Sequence, residues 1–157
     1  MPGDKVIEMV GRGTRNLAQR GLAATGIVTS ELIEAALDSL RGRGAQLAVC
    51  TNKPEALSRR LLALFGWTEH FAAVVGGDTL TVRKPEAAPL REAIRLAGGG
   101  RAVLVGDSIT DVGTARAADI PCVAVSYGFR DRPAAELGAN QLIDRFEQLV
   151  AVLEKIA

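Results

Sequence analysis

The chain has 157 residues, 48% hydrophobic and 24% charged, with a formal net charge of +1. This fits one globular core and excludes the strongly basic composition of a nucleic-acid or anionic-membrane binder, so neither nucleic acid nor membrane is an expected partner. No stretch approaches the roughly 18 consecutive apolar residues of a membrane span; residues 1–10 lack a secretory apolar stretch, and Cys50 and Cys122 lack metal-ligand spacing, so a cytoplasmic protein with two buried, reduced thiols is expected.

Residues 1–28 are Arg-rich and punctuated by Gly11, Gly13, Gly21 and Gly26, which predicts a small helical element of its own, ahead of one unit over 29–157. Ser30 can cap a helix whose apolar positions Leu32, Ile33, Ala36, Leu37 and Leu40 share a face, stopped by Arg41-Gly42-Arg43-Gly44. The run 46–50 is extended. Pro54, suited to a first helical position, opens a helix through Leu57, Leu61 and Leu64 to Gly66. A short strand over 72–75 and a helix over 88–97, ended by Gly98-Gly99-Gly100, precede the apolar strand Ala102-Val103-Leu104-Val105. A helix over 111–118, a strand over 122–125, a short helix over 133–137, an edge strand over 141–143 and an amphipathic helix over 145–156 complete the order. Strands apolar on both faces, alternating with helices, predict a three-layer α/β fold around a parallel sheet. Ligands of such sheets bind beyond the carboxyl ends of the strands, where Thr51, Asp107 and Ser126 fall.

Three motifs at that rim carry chemistry. Asp107 and Asp111 follow a buried strand at a spacing of one helical turn, where one carboxylate can hold a magnesium ion and the other orient its water; equally, Asp107 is a turn residue and Asp111 a helix cap. Thr51 and Asn52 end another buried strand just before a helix start, where a hydroxyl and free N–H groups can grip a phosphoryl oxygen, or where either residue is simply the N-cap. Lys84 precedes Pro85, which disposes it to an extended backbone that can aim its ammonium at a site, although most lysines are solvated. His70, beside Trp67, reads as packing, and Asp78 as part of the Gly76-Gly77 turn.

With these passages, together with Val74-Val75-Gly76-Gly77-Asp78 and Val123-Ala124-Val125-Ser126-Tyr127-Gly128-Phe129, the chain resembles the haloacid dehalogenase superfamily of phosphohydrolases, and most closely phosphoglycolate phosphatases. The likeness runs almost continuously over 30–157. It implies a Rossmann-like core, magnesium as cofactor and a small phosphorylated metabolite as partner. It gives Thr51 and Asn52 to the phosphoryl group, Lys84 to the charge of nucleophile and phosphate, Asp107 to the metal as its ligand, and Asp111 to the metal site through water or by supporting the ligand. Residues 6–22, with Gly11-Arg12-Gly13, look like the opening of the family's helical cap, and Arg12 and Arg15 could meet a substrate carboxylate.

The chain departs from that pattern in three places. It contains no Asp-x-Asp pair, the motif that supplies the attacking carboxylate; the cap is cut short, since 24–29 passes at once into the core helix; and Ala87 stands where a second proline is usual. The expected reading is therefore a magnesium-dependent phosphomonoester hydrolase impaired for want of its nucleophile, or a non-catalytic phosphate- or metal-binding or interaction module. The strand that should carry the nucleophile lies, in the family, between the strands over 46–51 and 102–105. Its loss would leave two buried edges, and these call for cover by the extended-friendly Val6-Ile7 and Met9-Val10, for direct pairing of the two strands, or for an absent piece.

Overall fold

The computed structural model describes residues 5–9, 30–126 and 132–156, with residues 5–9 and 30 described through their backbone. Six strands form one parallel sheet in the order β3-β2-β1-β4-β5-β6: β1 (Lys5–Met9), β2 (Gln46–Cys50), β3 (Ala73–Val75), β4 (Arg101–Gly106), β5 (Cys122–Val125) and β6 (Gln141–Ile143). The helices are α1 (Ser30–Gly42), α2 (Glu55–Phe65), α3 (Ala87–Leu96), α4 (Ile109–Ala118) and α5 (Gln148–Ile156), with short 3-10 turns at Thr68–His70 and Ala134–Glu136.

The N-terminal strand closes the gap at the centre of the sheet. Val6, Ile7 and Glu8 pair with Gln46, Leu47 and Ala48 of β2 on one side, while Lys5 to Met9 pair in register with Arg101 to Val105 of β4 on the other. Both inner edges thereby gain ladder partners, which is what buried N–H and C=O groups require. Residues 5–9, assigned from the sequence to a cap remnant, thus lie in the core sheet. The remainder of that remnant, residues 1–4 and 10–28 with Arg12 and Arg15, lies outside the described residues. The sheet's outer edges, β3 and β6, have three residues each, short enough to offer little template for further pairing.

Alternation along each strand divides the core in two. Leu47, Val49, Val74, Val103, Val105, Val123, Val125 and Ile143 face α1, α2 and α5 through Ile33, Leu37, Leu40, Leu62, Leu149 and Leu153. The opposite parity, mostly smaller residues such as Ala48, Cys50, Ala73, Cys122 and Ala124, faces Leu90 and Ala93 of α3 and Val112, Ala115 and Ala118 of α4. Helices on both faces of a parallel sheet give the expected three layers. Both cysteines are free and buried. No described helix is long and apolar enough to cross a membrane.

Element ends differ from expectation where a local group outcompetes the helix pattern. Gly42 remains helical and the chain turns at Gly44, which has φ of 85°. Pro54 is the N-cap of α2 rather than its first residue. The last helix begins at Gln148, not 145, because the Gln148 side-chain oxygen accepts the N–H groups of Asp144 (2.9 Å) and Arg145 (3.0 Å) and holds them in a turn.

Candidate active site

The carboxyl ends of β2 and β4 and the loop between β3 and α3 meet at one rim. Thr51, directly after β2, is 6% exposed. Its N–H donates to Val75 O at 2.9 Å, continuing the ladder one residue past the strand, and its hydroxyl accepts the Lys53 N–H at 3.2 Å. Asn52 reaches across to the other loop: Lys84 N–H donates to Asn52 Oδ1 at 3.0 Å, and Asn52 Nδ2 donates to Lys84 O at 3.1 Å. Neither Thr51 nor Asn52 caps the following helix. That role falls to Asp78 from the β3–α3 loop, whose Oδ1 accepts the Glu55 N–H at 2.8 Å.

The same loop is pinned by Thr79, which accepts the Gly76 N–H at 2.8 Å and donates its hydroxyl to Glu55 Oε2 at 2.6 Å. That hydrogen bond, with the Arg59 guanidinium behind it, holds the Glu55 carboxyl below the usual carboxylate range. The turn expected of Asp78 is thus made by Thr79, and Asp78 supplies a helix cap in trans. Asp78→Ala is expected to destabilise the protein by about 1 kcal/mol, the usual worth of an N-terminal cap, as measured by urea unfolding.

Behind β4 the chain turns at Asp107 into α4, capped by Ser108. Ser108 and Asp111 form a capping box: Asp111 N–H donates to Ser108 Oγ at 3.3 Å, and Asp111 Oδ2 accepts from Ser108 N (3.1 Å), Ser108 Oγ (2.8 Å) and Asp107 N (3.0 Å). The remaining oxygen, Oδ1, receives the Lys84 ammonium at 2.7 Å, with the two side chains 5% and 3% exposed. Asp107 itself is 1% exposed. Gly106 makes room for this, since a β-carbon there would lie 2.4 Å from the Asp111 Cβ. On the far side of Asp111, burial first and the Asp111 charge second push the Cys122 thiol up to about 12, so it stays protonated and inert.

Of the residues singled out in the sequence, Asn52, Lys84, Asp111 and Asp107 therefore form one hydrogen-bonded chain across three loops, and Thr51 adjoins it as the chain neighbour of Asn52. Its members serve different ends. The Asp111 carboxylate has both oxygens committed to protein donors and acts as a strut between Lys84 and the Asp107 turn. Asp107 is the rim carboxylate suited to a hard cation, and magnesium is commonly held through one or two carboxylates with water and phosphate oxygens completing its shell. A carboxylate oxygen is the donor such an ion takes, so Asp107 is the described rim residue that could hold it. Among the described residues the one group of three clustered metal-ligand side chains is Glu34, Asp38 and His70. It belongs to the opposite rim, since His70 precedes β3. Its geometry is also unsuited to a metal: His70 Nε2 is 3.0 Å from Asp38 Oδ1, whereas Nδ1 is buried with no hydrogen-bond partner, and a ligating histidine normally donates its second N–H.

Sequence reasoning missed Thr79, Glu55 and Ser108. For Ser108 a signal was present, because Ser-x-x-Asp ahead of a helix is a capping box. β1 brings a fourth strand end to the rim, with Met9 opposite Val105. Its only acid, Glu8, pairs with Leu104, three residues short of Asp107 or about 10 Å along the strand. No Asp or Glu follows until Glu31.

Residues 3–119 match the family model of the haloacid dehalogenase-like hydrolases. The phosphoglycolate phosphatase of Mesorhizobium japonicum is 50% identical over 112 residues, covering 70% of this chain and 49% of that protein. That of Rhodospirillum rubrum is 49% identical over 117 residues, covering 73% and 48%. The chain thus spans about half the length of these curated relatives. In fold it is similar to the crystal structure of a predicted phosphoglycolate phosphatase from Haemophilus somnus, with a TM-score of 0.79 at 19% identity, covering 98% of this chain and 99% of the other.

Proposed function

Because the chain belongs to the haloacid dehalogenase-like hydrolases, we propose that its rim binds the phosphoryl group of a small anionic phosphate ester, of the phosphoglycolate type by likeness to its relatives. The supporting observation is the buried Lys84–Asp111 pair at 2.7 Å, tied through Asn52 to Thr51. It fixes an ammonium, a hydroxyl and an acid at the end of a parallel sheet, where such ligands bind.

In this reading the Thr51 hydroxyl, which accepts the Lys53 N–H and keeps its own proton free, donates to a phosphoryl oxygen. Lys84 neutralises the phosphoryl charge while Asp111 keeps the ammonium aimed. Asp107 would hold magnesium, with the Asp111 carboxylate bracing it by accepting the Asp107 N–H rather than ligating the ion. When bound, magnesium supplies charge neutralisation on the transferring group.

Turnover is a separate matter from binding. Neither β1 nor the sequence that follows it brings a carboxylate to the rim in the register of Asp107, which supports a phosphate-binding module with hydrolysis on the order of 10³-fold or more below that of an enzyme retaining its nucleophile. The test pairs orthophosphate titration by calorimetry with p-nitrophenyl phosphate turnover, each with and without magnesium. Saturable orthophosphate binding, strengthened by magnesium and weakened to a still measurable affinity in Lys84→Met, is expected together with background turnover. Magnesium-dependent turnover abolished by Asp107→Ala would replace the module with an active hydrolase, and absence of orthophosphate binding would overturn the site itself.

A further inference from the structure

Asn52 stands beside Thr51, yet its observed polar contacts run to Lys84. Its carboxamide accepts from Lys84 N–H at 3.0 Å and donates to Lys84 O at 3.1 Å. A side chain that bonds both main-chain groups of one residue acts as a short β-bridge partner and fixes the direction in which that residue's side chain departs. Lys84 needs such fixing. It lies at the end of a loop with exposed residues at 81–83 and 85–86, while its own ammonium is buried against Asp111.

The near end of that loop packs on the same residue and is anchored to the next one. Gly77 packs so closely that a β-carbon there would stand 2.2 Å from Asn52 O, and Gly77 N–H donates to Lys53 O at 2.7 Å. The Asn52–Lys53 turn therefore holds the β3–α3 connection at both ends, by Lys53 O at the Gly77 N–H and by the Asn52 side chain at Lys84. We propose, on the premise of the phosphoryl-binding rim above, that Asn52 is a positioning residue for the Lys84 ammonium and that its contribution to anion binding passes through Lys84 rather than through contact with the phosphate. The carboxamide retains one N–H and one lone pair, so direct contact with an anion is the competing role that an experiment must separate.

The separation is a double-mutant cycle on orthophosphate affinity with Asn52→Ala, Lys84→Met and the pair, read beside the ¹⁵N signal of the Lys84 ammonium, which burial against Asp111 protects from exchange with water. Asn52→Ala is expected to weaken orthophosphate roughly tenfold, the scale of one charge-assisted hydrogen bond, and to have no further effect once Lys84 is Met. The Lys84 ammonium signal should broaden in Asn52→Ala through faster exchange. An equal loss of affinity in the Lys84→Met background would make Asn52 a direct ligand and overturn the proposal. So would an unchanged ammonium signal in a folded Asn52→Ala protein. Should the wild-type protein bind no orthophosphate, the phosphoryl-binding premise falls, and the ammonium signal still decides the role of Asn52. If Asn52→Ala does not fold, Asn52→Asp, of the same shape but without the donor to Lys84 O, gives the same spectroscopic readout: a broadened signal supports positioning and an unchanged one overturns it.

Discussion

Asp111→Ala is expected to lower the free energy of unfolding by about 3–5 kcal/mol, the range for removing one partner of a buried ion pair. The lost attraction is the smaller part of this. Lys84 would keep its buried position, 6% exposed, with no anion at 2.7 Å, and its ammonium would have to be desolvated alone or drawn out to water. The Asp107 and Ser108 N–H groups would lose their acceptor at the same time, and α4 its capping box. Lys84→Met should cost less, since Asp111 keeps its three donors from the Asp107–Ser108 turn. The double variant should therefore recover part of the loss of Asp111→Ala, because the stranded ammonium is gone. Urea unfolding of the four proteins followed by far-ultraviolet circular dichroism measures this directly. A loss below about 1 kcal/mol for Asp111→Ala would mean that the pair is worth no more than a surface one.

What the sequence made legible follows from the range of the forces involved. β2, β5 and β6 begin and end where expected because each is an apolar run bounded by turn-forming residues, a signal carried within a few positions. The convergence of Thr51, Lys84 and Asp107 was legible for a topological reason, since all follow strands of one parallel sheet. β1 was harder. Lys5 and Glu8 interrupt it, and central parallel strands normally read as unbroken apolar runs, so only the need of two buried edges for partners pointed there. The division of labour between the two aspartates was legible as alternatives alone: Asp111 is a capping residue and also the partner of Lys84, 27 positions away. Asp78 shows the limit plainly. Its neighbours suggested a local turn, and its actual bond goes to a helix start 23 positions earlier, a contact that local pattern does not encode.

Gly76 and Gly77 owe their identity to such a contact, and replacing either should be costly. A β-carbon on Gly77 would stand 2.2 Å from Asn52 O and 2.8 Å from Asn52 C, and one on Gly76 would stand 2.3 Å from Glu55 N and 2.5 Å from Glu55 Cα. These are backbone atoms, with no rotamer to yield. Relief must come from moving the β3–α3 loop off the β2–α2 turn, which breaks the Gly77 N–H bond to Lys53 O (2.7 Å) and pulls Asn52 away from Lys84. Gly77→Ala is accordingly expected to destabilise by about 3 kcal/mol, the upper range for forced overpacking, and to lower the melting temperature by roughly 6–12 °C. Gly42→Ala provides the control for glycine replacement as such. Gly42 is helical with nothing within 4 Å of a β-carbon, so alanine there should be neutral or stabilising by up to about 1 kcal/mol. Differential scanning calorimetry of the two variants distinguishes steric contact from backbone entropy: equal melting temperatures for Gly77→Ala and Gly42→Ala would show that the loop and the turn are not held against each other, and the link from Thr51 to Lys84 would lose its physical basis.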